Sequence, residues 1–244
     1  MNYPSPALVE LGGHIGYDWV FIDAEHGALD LETCEHMVRA AETAGIIPII
    51  RLPYAEPDLV NRYLDTGAMG ILVPHLASAS QARAMVRAAK YHPTGGRGAG
   101  SRTRAADYGF RRSATDYASW ANDETFVMGI VEDRAAIEEL PEILRTPGID
   151  GIVVGPSDLS QSFGVPGQLT HPSVVAAVDE ISRQVLASSK ALCRVLTNTA
   201  TAKDDLARFL AMGAPMIAEP FTGLFFRGAR AILDVRDAGR NRTT

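Results

Sequence analysis

The chain has 244 residues, of which 46% are hydrophobic and 21% charged, with a net charge of -6 and no basic block. This composition supplies a sizeable core and excludes disorder. The acidic balance argues against nucleic acid, whose phosphates need a positive surface. No apolar run approaches the roughly 20 residues of a membrane-crossing helix, and the start lacks a signal-peptide pattern. Cys34 and Cys193 lie far apart in apolar stretches without CxxC spacing, which reads as two buried, reduced thiols. A soluble, cytoplasmic protein without a membrane partner is the expectation.

In chain order, short β-branched runs alternate with helical patterns. The predicted strands are Asp18–Asp23, Ile47–Arg51, Gly70–Pro74, Phe126–Glu132, Gly151–Gly155, Ala191–Leu196 and Pro215–Glu219. They are nearly all apolar rather than alternating, as parallel strands buried on both faces require. Leu31, Cys34, Val38 and Ala41 form a helical stripe ended by Gly45, and Ser78 with Gln81 makes a capping-box spacing before Ala82, Met85, Val86 and Ala89. Val174, Val178, Ile181 and Val185 form another stripe, and Leu206, Phe209 and Leu210 a further one, closed by Gly213. Arg236–Thr244 is polar and is expected to fray.

Seven βα units in strict alternation predict a parallel sheet in one domain spanning 1–244. Eight strands would close a TIM-type (β/α)8 barrel, and about 250 residues suit one. The missing strand should precede a helix near Pro6–Gly12, where only Met1–Tyr3 remain. So either the first strand is very short, or the sequence starts downstream of the natural one. A doubly wound sheet is the alternative, but no GxGxxG follows the first strand.

Ligands of parallel α/β folds bind at the carboxyl ends of strands. Those ends read Asp23-Ala24-Glu25-His26, Arg51, Pro74-His75, Glu132, Gly155-Pro156-Ser157-Asp158 and Glu219. Glu132 and Asp158 end consecutive strands, and two adjacent carboxylates repel unless a proton or cation lies between them. Oxygen ligation suits a hard ion such as Mg²⁺ or Mn²⁺. The bland reading, helix caps or partners of arginines, is about as good on these grounds. His26, three residues after Asp23, suits a general base, although a lone His is more often structural. Arg51 suits an oxyanion, or equally a carboxylate partner that holds the mouth together. Backbone N–H groups around Pro156–Asp158 suit a carboxylate. Thr94–Gly100 reads as a flexible loop over the mouth, since it lacks the Lys-Ser/Thr of a P-loop. Asp65 reads as a solvated charge late in a helix, and His14, His36, His75, His92 and His171 receive no role.

The runs Phe21-Ile22-Asp23-Ala24-Glu25-His26-Gly27, Pro48–Arg51, Tyr63-Leu64-Asp65-Thr66-Gly67-Ala68, Lys90–Pro93 with Gly96-Arg97-Gly98, Val131-Glu132, and Gly155–Ser160 occur in this order over nearly the whole chain. Jointly they resemble the HpcH/HpaI aldolase family. The resemblance implies a class II pyruvate aldolase on a TIM barrel of the phosphoenolpyruvate/pyruvate type. Its divalent metal (Mg²⁺, Mn²⁺ or Co²⁺) would be held by Glu132 and Asp158. It further implies that Arg51 stabilises an enolate, that His26 handles protons with support from Asp23 and Asp65, and that Pro156, Ser157 and Asp158 receive the carboxylate of a 2-oxo acid. The substrates would be a 2-oxo acid and an aldehyde, and the assembly a hexamer. Citrate-forming and acyl-CoA lyase relatives are the alternatives on the same site. One departure stands out: Ile130 occupies a position, two before Glu132, that usually carries Gln. Together with the short start it also admits a paralogue that binds a 2-oxo acid without turnover.

Overall fold

The computed structural model of the chain describes residues 1–198 and 200–240. Its strands β1 (Trp19–Asp23), β2 (Ile47–Arg51), β3 (Gly70–Val73), β4 (Phe126–Val131), β5 (Gly151–Val154), β6 (Ala191–Val195) and β7 (Met216–Ala218) form one parallel sheet in chain order. Their side chains alternate between two apolar layers, which explains the unbroken hydrophobic runs. Ile49, Leu72, Met128, Ile130, Val153 and Cys193 fill the inner face with Trp19, Phe21 and Phe126. Ile22, Ile50, Ile71, Val127, Ile152 and Leu192 point the other way into the larger core.

The connecting helices are α1 (Pro6–Ile15), α2 (Leu31–Thr43), α3 (Pro57–Leu64), α4 (Ala79–Ala89), α5 (Ala114–Glu124), α6 (Arg134–Arg145), α7 (Pro156–Ser162), α8 (Pro172–Leu186), α9 (Ala202–Ala211) and α10 (Phe221–Arg240). The predicted stripes are buried in α2, α4 and α8 through Cys34, Val38, Met85, Val86, Val174 and Ile181. Ser78 Oγ accepts from the Gln81 N–H at 3.2 Å, and Gln81 Oε1 accepts from the Ala77 N–H at 2.9 Å, so the capping box reaches one residue beyond the cap. Both cysteines are free and buried, and burial pushes each thiol up to about 12.

Three expectations change. The eight-stranded closure is not present among the described residues: β1 pairs with β2 and β7 with β6, and the sheet stays open between β1 and β7. Among the described residues, only Met1 pairs with the free edge of β1. Its amino group donates to the Phe21 carbonyl at 2.5 Å, and its carbonyl accepts from the Asp23 N–H at 3.0 Å. The fold is thus a curled parallel sheet of the barrel kind with seven strands. Second, Thr94–Gly100 is not a loop over the mouth. Gly96 and Arg97 donate to the carbonyls of Arg87 and Lys90 at the end of α4, the side of the sheet where β4 begins. Third, residues 236–240 belong to α10, while 241–244 lie outside the described residues.

Candidate active site

The carboxyl ends of the strands open into a cleft of about 460 Å³, lined by Asp23, His26, Arg51, Ile130, Glu132, Asp158 and others. Parallel pairing explains the grouping. Asp23 lies opposite Arg51 in the β1–β2 register, and Val131 opposite Val154, so Glu132 and Gly155 leave their strands side by side.

Arg51 is the hub of one half. Its Nε donates to Asp23 Oδ1 at 2.8 Å and its Nη2 to Asp23 Oδ2, while Nη1 lies 3.0 Å from Glu25 Oε2. That last contact is a charge contact rather than a directed bond, since Glu25 Oε2 is buried without a hydrogen-bond donor. Burial works against ionisation of Asp23, but the Arg51 hydrogen bond and charge outweigh it and hold the carboxyl below its ordinary range. Asp23 Oδ1 also accepts from the backbone N–H groups of Glu25 and His26, at 3.2 and 3.1 Å, and so shapes the loop that carries both.

The other half centres on Glu132, which is only 3% exposed. Its Oε1 accepts from the His75 N–H at 2.8 Å. Burial drives its carboxyl up to about 7; the His75 N–H and ring oppose this, and Asp158 and Glu25 reinforce it. Gly155 makes room for this side chain: a Cβ there would lie 2.7 Å from both Cβ and Oε2 of Glu132. Asp158 stands on the first turn of α7, and its Oδ1 accepts from Gln161 Nε2 at 3.0 Å. Ile130, 4% exposed, forms an apolar floor beneath the pair.

Two residues to which the sequence reading gave no role join the site. His75, just past β3, holds the left-handed φ of 46° that aims its N–H at Glu132. Its Nδ1 lies 3.1 Å from Asp133 Oδ2 and its Nε2 3.7 Å from Glu25 Oε1. Burial lowers the affinity of His75 for a proton, but Glu132, Asp133 and Glu25 together raise it. Glu25 thereby links the Arg51 and Glu132 halves. The signal in the sequence was positional, since both residues directly follow strands.

Two members of the predicted set have side chains outside these networks. The His26 ring is not paired with Asp23, which bonds the His26 backbone instead. The ring is 61% exposed at the rim, with Nε2 3.9 Å from Glu25 Oε2. Asp65 does not reach this group within the chain. It caps the carboxyl end of α3, ahead of β3, and is therefore at the opposite end of the sheet. There Arg97 Nη2 donates to Asp65 Oδ1 at 2.8 Å and Arg97 Nε to Asn61 Oδ1 at 3.1 Å, with the guanidinium 4.8 Å from the Tyr91 ring centre.

Can these residues hold a divalent ion? A buried carboxylate beside a second one, in a cradle that a Cβ would fill, is an oxygen donor set suited to a hard cation. Among the described residues no group of three or more His, Cys, Asp or Glu side chains is placed to bind a metal. The pair therefore fits an ion that also takes oxygens from water and substrate.

The model of the HpcH/HpaI aldolase/citrate lyase family matches residues 1–229. The chain belongs to that family. Within it, the chain is 36% identical over 224 residues to a 4-hydroxy-2-oxo-heptane-1,7-dioate aldolase of Klebsiella pneumoniae, covering 91% of this chain and 82% of the relative. It is 37% identical over 217 residues to a 2-keto-3-deoxy-L-rhamnonate aldolase of the same organism, covering 87% and 80%. The crystal structure of the citrate synthase SbnG superposes with a TM-score of 0.85 at 31% identity, covering 98% of this chain and 91% of that one. Like its aldolase relatives in the family, the chain is an enzyme of the aldolase type that works by aldol cleavage to pyruvate. No helix of the described residues is long and apolar enough to cross a membrane.

Proposed function

We propose that the cleft cleaves a 4-hydroxy-2-oxo acid reversibly into pyruvate and an aldehyde, with Glu132 and Asp158 holding Mg²⁺, Mn²⁺ or Co²⁺. The observation that carries this reading is the buried Glu132 beside Asp158, across the cleft from an Arg51 already oriented by two carboxylates. Held by Glu132 and Asp158, such an ion would supply an electron sink for the 2-oxo group of the acid.

The side chains divide the remaining work. Arg51 faces the oxygen on which negative charge grows as the C3–C4 bond breaks, and Asp23 and Glu25 keep its guanidinium from turning away. The 4-hydroxyl proton leaves as the bond electrons move onto the 2-oxo group, and the aldehyde departs. His26, wet at the rim, takes that proton through water and returns one to C3, which gives pyruvate. The N–H groups of Ser157 and Asp158 at the start of α7 receive the substrate carboxylate, with Pro156 fixing the turn. Asp65 is left out of this machinery within a single chain.

The working enzyme is a hexamer in a reducing, cytoplasmic setting. Exposed Phe225, Phe226, Ile232 and Val235 on α10 support an assembly, and the two free thiols support the compartment. Native mass spectrometry reads the assembly directly, and a monomer would refute it. For the activity, the metal-stripped protein is titrated with Mn²⁺ by electron paramagnetic resonance and supplied with 4-hydroxy-2-oxo acids. Binding that disappears in Glu132→Ala, with pyruvate formed by the metal-loaded wild type, is expected. Absence of pyruvate with all three metals would sink the proposal.

A further inference from the structure

The cleft continues beyond Glu132 and Asp158. Thr197, just past β6, lines both the cleft and a second, more open cavity of about 420 Å³. The α7–α8 loop walls that cavity with Gln168, Thr170 and His171, and Asn198 closes it from the β6 side. Its polar side chains are two amides, two hydroxyls and an imidazole. His171 uses Nδ1 to cap α8, 2.9 Å from Ser173 Oγ and 3.4 Å from the Ser173 N–H, which leaves its Nε2 edge for a ligand.

The charges around this path are mostly of one sign. Arg51 is the only Arg or Lys among the described residues that line either cavity, and Asp23 and Glu25 already occupy it. The Met1 amino group is turned onto the Phe21 carbonyl. Asp158 and Glu219 line the cleft, and Glu219 is paired with Arg227 of α10. A second carboxylate carried past Thr197 would therefore lose water without gaining a cation, in the field of two acids. Hydroxyl groups in the same place meet neutral donors and acceptors that match them.

We infer that the aldehyde partner is a short, uncharged, hydroxylated aldehyde, received by Gln168, Thr170, His171 and Asn198, and that the site disfavours aldehydes with a terminal carboxylate. This rests on the aldolase reading of the cleft. In the synthetic direction C3 of the pyruvate enolate attacks the aldehyde carbon, the C3–C4 bond forms, and the aldehyde oxygen takes up a proton to become the 4-hydroxyl.

Two measurements on the metal-loaded enzyme separate this inference from that reading. Exchange of the pyruvate methyl protons in D2O, followed by mass spectrometry, reports the 2-oxo-acid half with no aldehyde present. Addition of pyruvate to glyceraldehyde and to succinic semialdehyde reports the partner. Expected are methyl exchange, a kcat/KM for glyceraldehyde at least about tenfold above that for succinic semialdehyde, and a shift of that ratio toward the semialdehyde by about tenfold in Thr170→Arg. Asn198→Arg serves the same purpose from the other wall, should Thr170→Arg not fold. Exchange with equal or better use of succinic semialdehyde overturns the inference and leaves the aldolase reading standing. So does a ratio that neither folded arginine variant moves. Absence of both exchange and addition overturns the aldolase reading, and this inference with it.

Discussion

Arg51 and Asp23 stand opposite each other in the β1–β2 register, and the guanidinium engages both carboxylate oxygens, Nε with Oδ1 at 2.8 Å and Nη2 with Oδ2. With Glu25 against the third nitrogen, all three guanidinium nitrogens have an acidic partner. A lysine at this position offers one point charge in place of that planar fork. Arg51→Lys is expected to lower kcat/KM for pyruvate formation by about 10²–10³-fold, the scale of losing an oriented oxyanion donor. Asp23→Asn keeps one acceptor and should cost less. Wild-type turnover in Arg51→Lys would show that the orientation of the guanidinium is immaterial.

The same pair sets a pH dependence. In the folded protein the Arg51 guanidinium holds the Asp23 carboxyl below the ordinary aspartate range, against the effect of burial. A depressed carboxyl contributes stability above its unfolded value, and that contribution disappears as pH falls through the folded one. Thermal melts of wild type and Asp23→Asn should therefore differ most near neutrality, by about 1–3 kcal/mol, and converge in strong acid. A gap of constant size down to the acid limit would mean that the stabilisation does not come from the charge of Asp23.

Much of this arrangement is legible in the sequence. The seven strands follow from unbroken apolar runs, because both faces of the sheet are covered. Several runs extend past the observed strands, as at Glu132 and Gly155, where the chain turns out toward the cleft. The far-end position of Asp65 was implicit in chain order, since a helix that precedes a strand ends where that strand begins. A family motif drew attention to it without indicating this direction. The glycines of Thr94–Gly100 mark a turning chain but not the surface it packs on, which Arg97 settles by burying its charge against Asp65. Sheet closure was not legible, because it depends on a strand that the pattern does not contain. His75 was hidden because its contribution to Glu132 is a backbone N–H, presented by an unusual φ rather than by its residue type.

Glu132 offers a test that separates metal binding from folding. Its buried carboxylate is a burden on the metal-free protein, as the rise to about 7 indicates. Glu132→Gln keeps the shape and an oxygen for the His75 N–H while removing the charge. The metal-free variant should melt no lower than metal-free wild type at pH 8, and Mn²⁺ affinity should fall by at least about 100-fold. A variant that binds Mn²⁺ normally would remove Glu132 from the ligand set.

Arg97 is the structural counterpart at the other end of the sheet. Its side chain is 1% exposed, held by Asp65 and Asn61 and stacked on Tyr91. Arg97→Ala leaves the Asp65 carboxyl without its buried partner, and burial already pushes that carboxyl above its ordinary range. A loss of about 3–5 kcal/mol in denaturant unfolding is expected, as for other broken buried ion pairs. A loss below about 1 kcal/mol would place this pair among ordinary surface salt bridges.

Gly155 gives the sharpest test of the cradle. Its φ of -102° is open to any residue, so an added methyl group meets no backbone penalty. What it meets is Glu132, whose Cβ and Oε2 would both lie 2.7 Å away, and Ile130 Cγ2 at 3.1 Å. Ile130 is packed in the inner layer and Glu132 is tied to the His75 N–H, so the carboxylate is the group that must give. Gly155→Ala should therefore cost about 1–3 kcal/mol of stability, the usual range for overpacking. It should also weaken Mn²⁺ binding by at least about tenfold, because displaced carboxylate oxygens no longer meet the geometry the ion needs. Stability and metal affinity measured on the same sample distinguish the outcomes. If the alanine variant loses stability but keeps wild-type affinity, the space beside Gly155 serves packing alone and Glu132 does not depend on it to face the cleft.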